Sequence, residues 1–173
     1  DIDVIIFDVT QFYTSVNPYW IPVRSGIRQA SQMSDVSVKY HTPDCSGGYD
    51  YSQINTDMER LLKNVAKQSP KGIILALPNL SYQKEIVQDL LNRNVPVVIL
   101  NPVREAPFSY TFSVGSDKWD EGYLALEKLK LKDGESILYC RNYKQGVSDI
   151  HDERVQGMKH YLAENKLSCK FEE

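Results

Sequence analysis

Short, almost unbroken apolar runs alternate with segments of helical periodicity along the whole chain, and this alternation limits the possible folds most. Residues 3–8, 72–77 and 95–100 are nearly continuous in Val, Ile, Leu and Ala. Such runs suit strands covered by helices on both faces, as in parallel sheets. Residues 36–40 alternate and predict a less buried strand. Residues 109–115 predict a weaker one with Tyr110, Phe112 and Val114 on one side, and 136–140 and 167–171 complete the set. Between the strands lie helices with one apolar face each: Val23, Ile27 and Ala30; Ile54, Met58, Leu62 and Val65; Ile86, Val87 and Leu90; Trp119, Tyr123 and Leu126; Val155, Met158 and Leu162. The order β-α-β-α-β-α-β-β-α-β-α-β predicts an α/β fold with a doubly wound parallel sheet, Rossmann-like in kind. Helix separation lapses between the fourth and fifth strands. The expected division is therefore a first lobe over 1–115 and a second over 116–173.

Local chemistry supports these boundaries. Pro18 stands near the first turn of the first helix, where a missing N–H costs little. Gly26 on that helix either permits a close approach to the sheet or is neutral. The segment 69–72, Ser-Pro-Lys-Gly, stops the second helix. Asn79 or Ser81 can cap the third, and Ser116-Asp117 the fourth.

Composition narrows the function. The 173 residues are 42% hydrophobic and 25% charged, with a net charge of −3, so no basic footprint points to direct nucleic-acid binding. No apolar run reaches a membrane-spanning length. The chain begins at Asp1 without a Met, as a processed or cloned piece would. Cys45, Cys140 and Cys169 fit no zinc or redox spacing and read as buried or incidental thiols, and the three histidines show no metal spacing.

No catalytic constellation emerges, and the expectation is a protein that is not an enzyme and needs no cofactor. Phe7-Asp8-Val9-Thr10 follows a strand as in aspartate-nucleophile phosphatases, but the second carboxylate they need is Thr10 here. Glycine-rich phosphate loops and nucleophile elbows are missing from the sequence. The carboxylate pairs Asp120-Glu121 and Asp152-Glu153 are expected on solvated faces.

Binding suits the residues better. The stretch 12–20, Phe-Tyr-Thr-Ser-Val-Asn-Pro-Tyr-Trp, lies between the first strand and first helix, where open parallel sheets place ligands. Tyr13, Tyr19 and Trp20 offer flat faces with polar tips for a sugar-like ring, and Asn17 both donates and accepts. The alternative is a core cluster over the sheet, with Asn17 as a helix cap. Arg154 lies early in the last helix, where the macrodipole disfavours a cation. It either grips ligand oxygens or forms a surface ion pair with Asp149 or Asp152.

These fragments together resemble the type I periplasmic-binding-protein superfamily, which includes sugar-binding proteins of transport systems and the effector domains of lac-repressor-like regulators. The resemblance rests on Asn17-Pro18-Tyr19-Trp20 with Gly26, on Lys71-Gly72-Ile73-Ile74-Leu75, and on Val95-Pro96-Val97-Val98. It continues through Val114-Gly115-Ser116-Asp117 with Gly122, and Arg154-Val155-Gln156-Gly157-Met158. It implies two lobes around a cleft that close on a small ligand. Tyr13, Asn17, Tyr19 and Trp20 match ligand-contacting positions, Arg154 the second lobe's ligand-binding Arg, and Asp117 a structural Asp at the crossing.

The resemblance has two departures. Where ribose-type members have Asp-Arg after the fourth strand, this chain has Asn101-Pro102, so Asn101 is left to serve one hydroxyl. Members also continue well beyond position 173, so the second lobe is expected to be partial. Self-association or a further segment would cover its apolar edges. The implied function is reversible binding of a sugar-like solute for transport or signalling, in a periplasmic or extracytoplasmic setting. A membrane transporter or sensor kinase is the expected partner. The alternative is the effector domain of a lac-repressor-like transcription regulator.

Overall fold

A computed structural model describes residues 1–6, 20–43, 51–76, 79–104, 106–140 and 149–172. The elements are β1 (Ile2–Ile6), α1 (Trp20–Ser34), β2 (Val38–His41), α2 (Tyr51–Ala66) and β3 (Gly72–Ala76). A 3-10 turn (Ser81–Gln83) then leads into α3 (Lys84–Asn92) and β4 (Val97–Leu100). They are followed by β5 (Phe112–Val114), α4 (Lys118–Leu129), β6 (Ser136–Leu138), α5 (Asp149–Glu164) and β7 (Lys170–Glu172). This is the α/β order expected from the alternation. The chain packs as two compact units, one of residues 1–100 with 107–113, the other of 101–106 with 114–173.

The first unit is built on a sheet of order β2-β1-β3-β4-β5. β1 pairs in parallel with β2 and β3, and β3 with β4. After β2 the chain crosses back over β1 to β3, so the winding reverses between those two strands. That is the topological switch point at which open α/β sheets bind ligands, at the carboxyl ends of the strands. Residues 7–19, which follow β1, and 77–78, which follow β3, lie outside the described residues.

Alternation along the strands sorts the core by face. One register row joins Ile5, Leu75 and Ile99, all fully buried. The other face carries Val4 and Ala76 against Trp20, with Val23, Ile27 and Ile74 beside them. Both faces of β3 are covered, with Ile73 and Leu75 buried on one and Ala76 packed with Trp20 on the other, which is why its run is apolar throughout. α2 buries Ile54, Met58, Leu62 and Val65 at the expected helical spacing, and α3 buries Val87 and Leu90. At the sheet edge, buried Asp3 meets His41 Nε2 across β1 and β2 at 2.8 Å.

One detail of α1 differs from expectation, and one open alternative is decided. Ala30 is exposed, and Gly26 faces open space, so its neutral reading holds. The reason is helix phase: the inner face continues from Ile27 to the half-buried Ser31, and Ala30 is turned about 60° away from Ile27. Turn positions follow backbone chemistry: Asn94 adopts the left-handed conformation after α3, and the Asn79 side chain accepts from Ser81 N at 2.9 Å.

The second unit pairs β6 with β7 in parallel and packs them against α4 and α5 through Leu126, Ile137, Met158 and Leu162. Met158 and Leu162, with Val155, are the expected apolar face of α5. The two helices meet backbone to backbone. A Cβ on Gly122 would lie 1.9 Å from the Arg154 carbonyl oxygen, and one on Gly157 would lie 2.0 Å from that of Trp119. Only glycine at both positions allows this approach.

Candidate functional site

Of the residues expected to touch a ligand, Tyr13, Asn17 and Tyr19 lie outside the described residues. Trp20 opens α1 and is only 7% exposed, packed on Val4 and Ala76. Its indole seats the start of the helix on the sheet. Asn101 directly follows β4 with a φ of 55°, a left-handed conformation that Asn tolerates better than most residues. Its N–H donates to the Val114 carbonyl at 2.8 Å, and a Cβ on Gly115 would come within 2.9 Å of its Cα. The backbone thus supplies its own reason for Asn at this position.

Arg154 is held from another helix. Its Nε donates to Glu121 Oε2 on α4 at 2.6 Å. Glu121, expected on a solvated face, is instead the hub of a half-buried network. Its other oxygen accepts from Lys118 Nζ at 2.8 Å and from the Ser116 hydroxyl. Lys118 Nζ also donates to Ser116 Oγ at 2.8 Å, and the lysine is buried. A buried ammonium needs this compensation, because an unpaired one would cost several kcal/mol. The close backbone approach at Gly122, against Arg154, and at Gly157, against Trp119, is what brings α4 and α5 close enough for the network to form.

Asp117 is the N-cap of α4. Its Oδ1 accepts from Asp120 N at 2.9 Å, and its Oδ2 from Arg104 Nε at 2.6 Å. Arg104 also donates to Asp120 and lies 4.3 Å over the Trp119 ring. Both oxygens of Asp117 are thereby engaged, which suits the structural role that the resemblance implies for it. Burial alone would raise its carboxyl, but the hydrogen bonds from Asp120 N and Arg104 outweigh it and hold the group below its ordinary value.

Burial alone would raise the Glu121 carboxyl, but hydrogen bonds from Lys118, Ser116 and Arg154 outweigh it and hold the group at about 2 against an ordinary 4.5. A folded value below the unfolded one stabilises above the unfolded value and is lost as pH falls through the folded one. Stability should therefore decline as pH drops from about 4.5 to about 2. The Glu121 contribution is roughly 1–2 kcal/mol, since solvent screens a partly exposed carboxylate. Unfolding of the parent and of Glu121→Gln by urea across this range should show a shallower acid limb in the variant.

Elsewhere, α1 and the edge strand β2 border an open groove of about 550 Å³, with Arg24, Arg28 and Tyr40 in its lining. Among the described residues, no cluster of His, Cys, Asp and Glu is placed to hold a metal ion, and no helix is long and apolar enough to cross a membrane. Cys140 is an exposed free thiol rather than a buried one.

Sequence reading missed Glu121, Lys118 and Arg104. The available signal was the strong charge density of Asp117-Lys118-Trp119-Asp120-Glu121 at a helix start, immediately before Gly122.

A family model described as "Periplasmic binding protein domain" matches residues 10–173. A putative LacI transcriptional regulator from Bacteroides fragilis superposes with a TM-score of 0.78 at 18% identity, over 99% of this chain and 57% of that one. The XylFII-LytSN complex gives 0.76 at 20% identity, over 98% and 57%. An ABC sugar transporter (periplasmic sugar binding protein) from Legionella pneumophila gives 0.69 at 20%, over 99% and 59%. At these identities the likeness concerns the fold, and the chain spans under two thirds of each of those structures. A search of curated proteins finds no match.

Proposed function

The chain belongs to the periplasmic binding protein domain family, and from that premise we propose that it binds a small, polar, sugar-like solute reversibly, outside the cytoplasm, for transport or signalling. The observation that carries this reading is the family match over nearly the whole chain. The residues proposed to touch the solute are Tyr13, Asn17, Tyr19, Trp20, Asn101 and Arg154. Two features support them. The segment 7–19 leaves β1 beside the winding reversal of the sheet, where ligands of α/β folds gather. Arg154 keeps 27% of its side chain exposed while its Nε is held, so the guanidinium can still meet a hydroxyl.

The proposed role is binding without catalysis, read out by a membrane transporter or a sensor kinase. A similar fold that is named as an ABC sugar transporter (periplasmic sugar binding protein) supports the transporter as partner. Asn17→Ala is expected to weaken solute affinity by about tenfold or more, because a buried hydroxyl would lose a two-way partner. Tryptophan fluorescence titrations with ribose, arabinose, glucose and galactose measure this. A variant that binds as well as the parent would remove Asn17 from the site.

A further inference from the structure

The geometry points to Glu121 as a positioning residue that aims the Arg154 guanidinium at the solute. The inference rests on the reading that Arg154 touches that solute, and it deepens it. Glu121 uses its two oxygens for different partners: Oε1 takes Lys118 Nζ and the Ser116 hydroxyl, and Oε2 takes Arg154 Nε. A carboxylate fixed at one oxygen by two donors cannot swing freely, so the plane it offers to Arg154 is set before any ligand arrives. Lys118, buried at the start of α4, provides the immobile end of this chain of contacts.

The choice of donor matters. A guanidinium carries five N–H groups, one on Nε and four on the two Nη atoms. Engagement of Nε leaves the Nη edge, which presents paired donors, and among the described residues no acceptor is recorded for it. That edge suits two neighbouring hydroxyls of a polyhydroxylated solute. Without Glu121, the side chain would have to be ordered by the ligand itself, at a cost in affinity. The partner stands 33 residues away on α4, brought within reach by the close backbone approach of the helices at Gly122 and Gly157.

A double-mutant cycle on the full chain tests the assignment. Affinities for ribose, arabinose, glucose and galactose are measured by calorimetry for the parent, Glu121→Gln, Arg154→Ala and the double variant, with near-ultraviolet circular dichroism as a check of folding. Positioning predicts that Glu121→Gln weakens binding about fivefold to tenfold in the parent but less than about twofold where Arg154 is already Ala. Ser116→Ala, which releases one hold on Glu121 without touching a charge, should show the same dependence at a smaller size. It serves as the probe if Glu121→Gln does not fold. Equal losses with and without Arg154 would overturn positioning and leave a structural role. Loss in Arg154→Ala with none in Glu121→Gln or Ser116→Ala would overturn it also. Unchanged affinity in Arg154→Ala would instead overturn the placing of Arg154 at the solute, and a parent that binds none of the four sugars would overturn the sugar reading beneath both.

Discussion

Gly122→Val is expected to unfold the second unit or leave it loosely packed. The first atom of the new side chain would fall 1.9 Å from the Arg154 carbonyl oxygen and 2.7 Å from its carbonyl carbon. Both are backbone atoms of α5, so no rotamer change can relieve the clash. The helices would have to separate, and separation opens the apolar contacts of Leu126 with Met158 and Leu162. It also draws Arg154 away from Glu121. Overpacking costs about 1–3 kcal/mol in cores that can adjust, and a backbone clash should reach at least the upper end of that range. Urea unfolding followed through Trp119 should show it. Gly26→Ala is the control of opposite sign. Gly26 lies within α1 with open space around it, so the added methyl should stabilise by about 0.5–1 kcal/mol. Equal stability of Gly122→Val and the parent would mean that α4 and α5 do not meet through their backbones.

Leu75→Ala should have a comparable effect on the first unit. Leu75 is fully buried on the central strand β3, in register with Ile5 on β1 and Ile99 on β4, both fully buried too. A sheet whose strands are fixed on both sides has little room to collapse into the space left by three missing carbons. The expected loss is about 3 kcal/mol, within the range of about 2–5 kcal/mol for buried Leu-to-Ala changes. Chemical unfolding followed by far-ultraviolet circular dichroism would read it. A loss below about 1 kcal/mol would place Leu75 outside the tight part of the core.

The fold was legible because its determinants are local. Each buried strand carries its burial in a continuous apolar run, and each helix repeats its inner face at a spacing that sequence displays directly. Val155, Met158 and Leu162 on α5 could be named without any tertiary knowledge, and so could Asp117 as a cap. Ala30 failed because steps of three and of four residues both continue a helical face, and the residue that stays half-buried is Ser31. Glu121 failed for a related reason. Its neighbours in sequence describe a charged helix start, whereas its environment is made by Arg154 on another helix and by two glycines that bring the backbones together. Asn101 shows a third limit: a residue that a ligand could use also satisfies a left-handed backbone. Sequence cannot separate those two demands on the same side chain.

The central claim, that the chain is a binding domain for a sugar-like solute, is tested most directly by isothermal titration calorimetry of the full chain against ribose, arabinose, glucose and galactose. The account predicts a saturable, enthalpically favourable isotherm of equimolar stoichiometry for at least one of them, since hydroxyls would exchange water for fixed hydrogen bonds. Flat isotherms for all four, from protein shown to be folded by its near-ultraviolet circular dichroism, would contradict it.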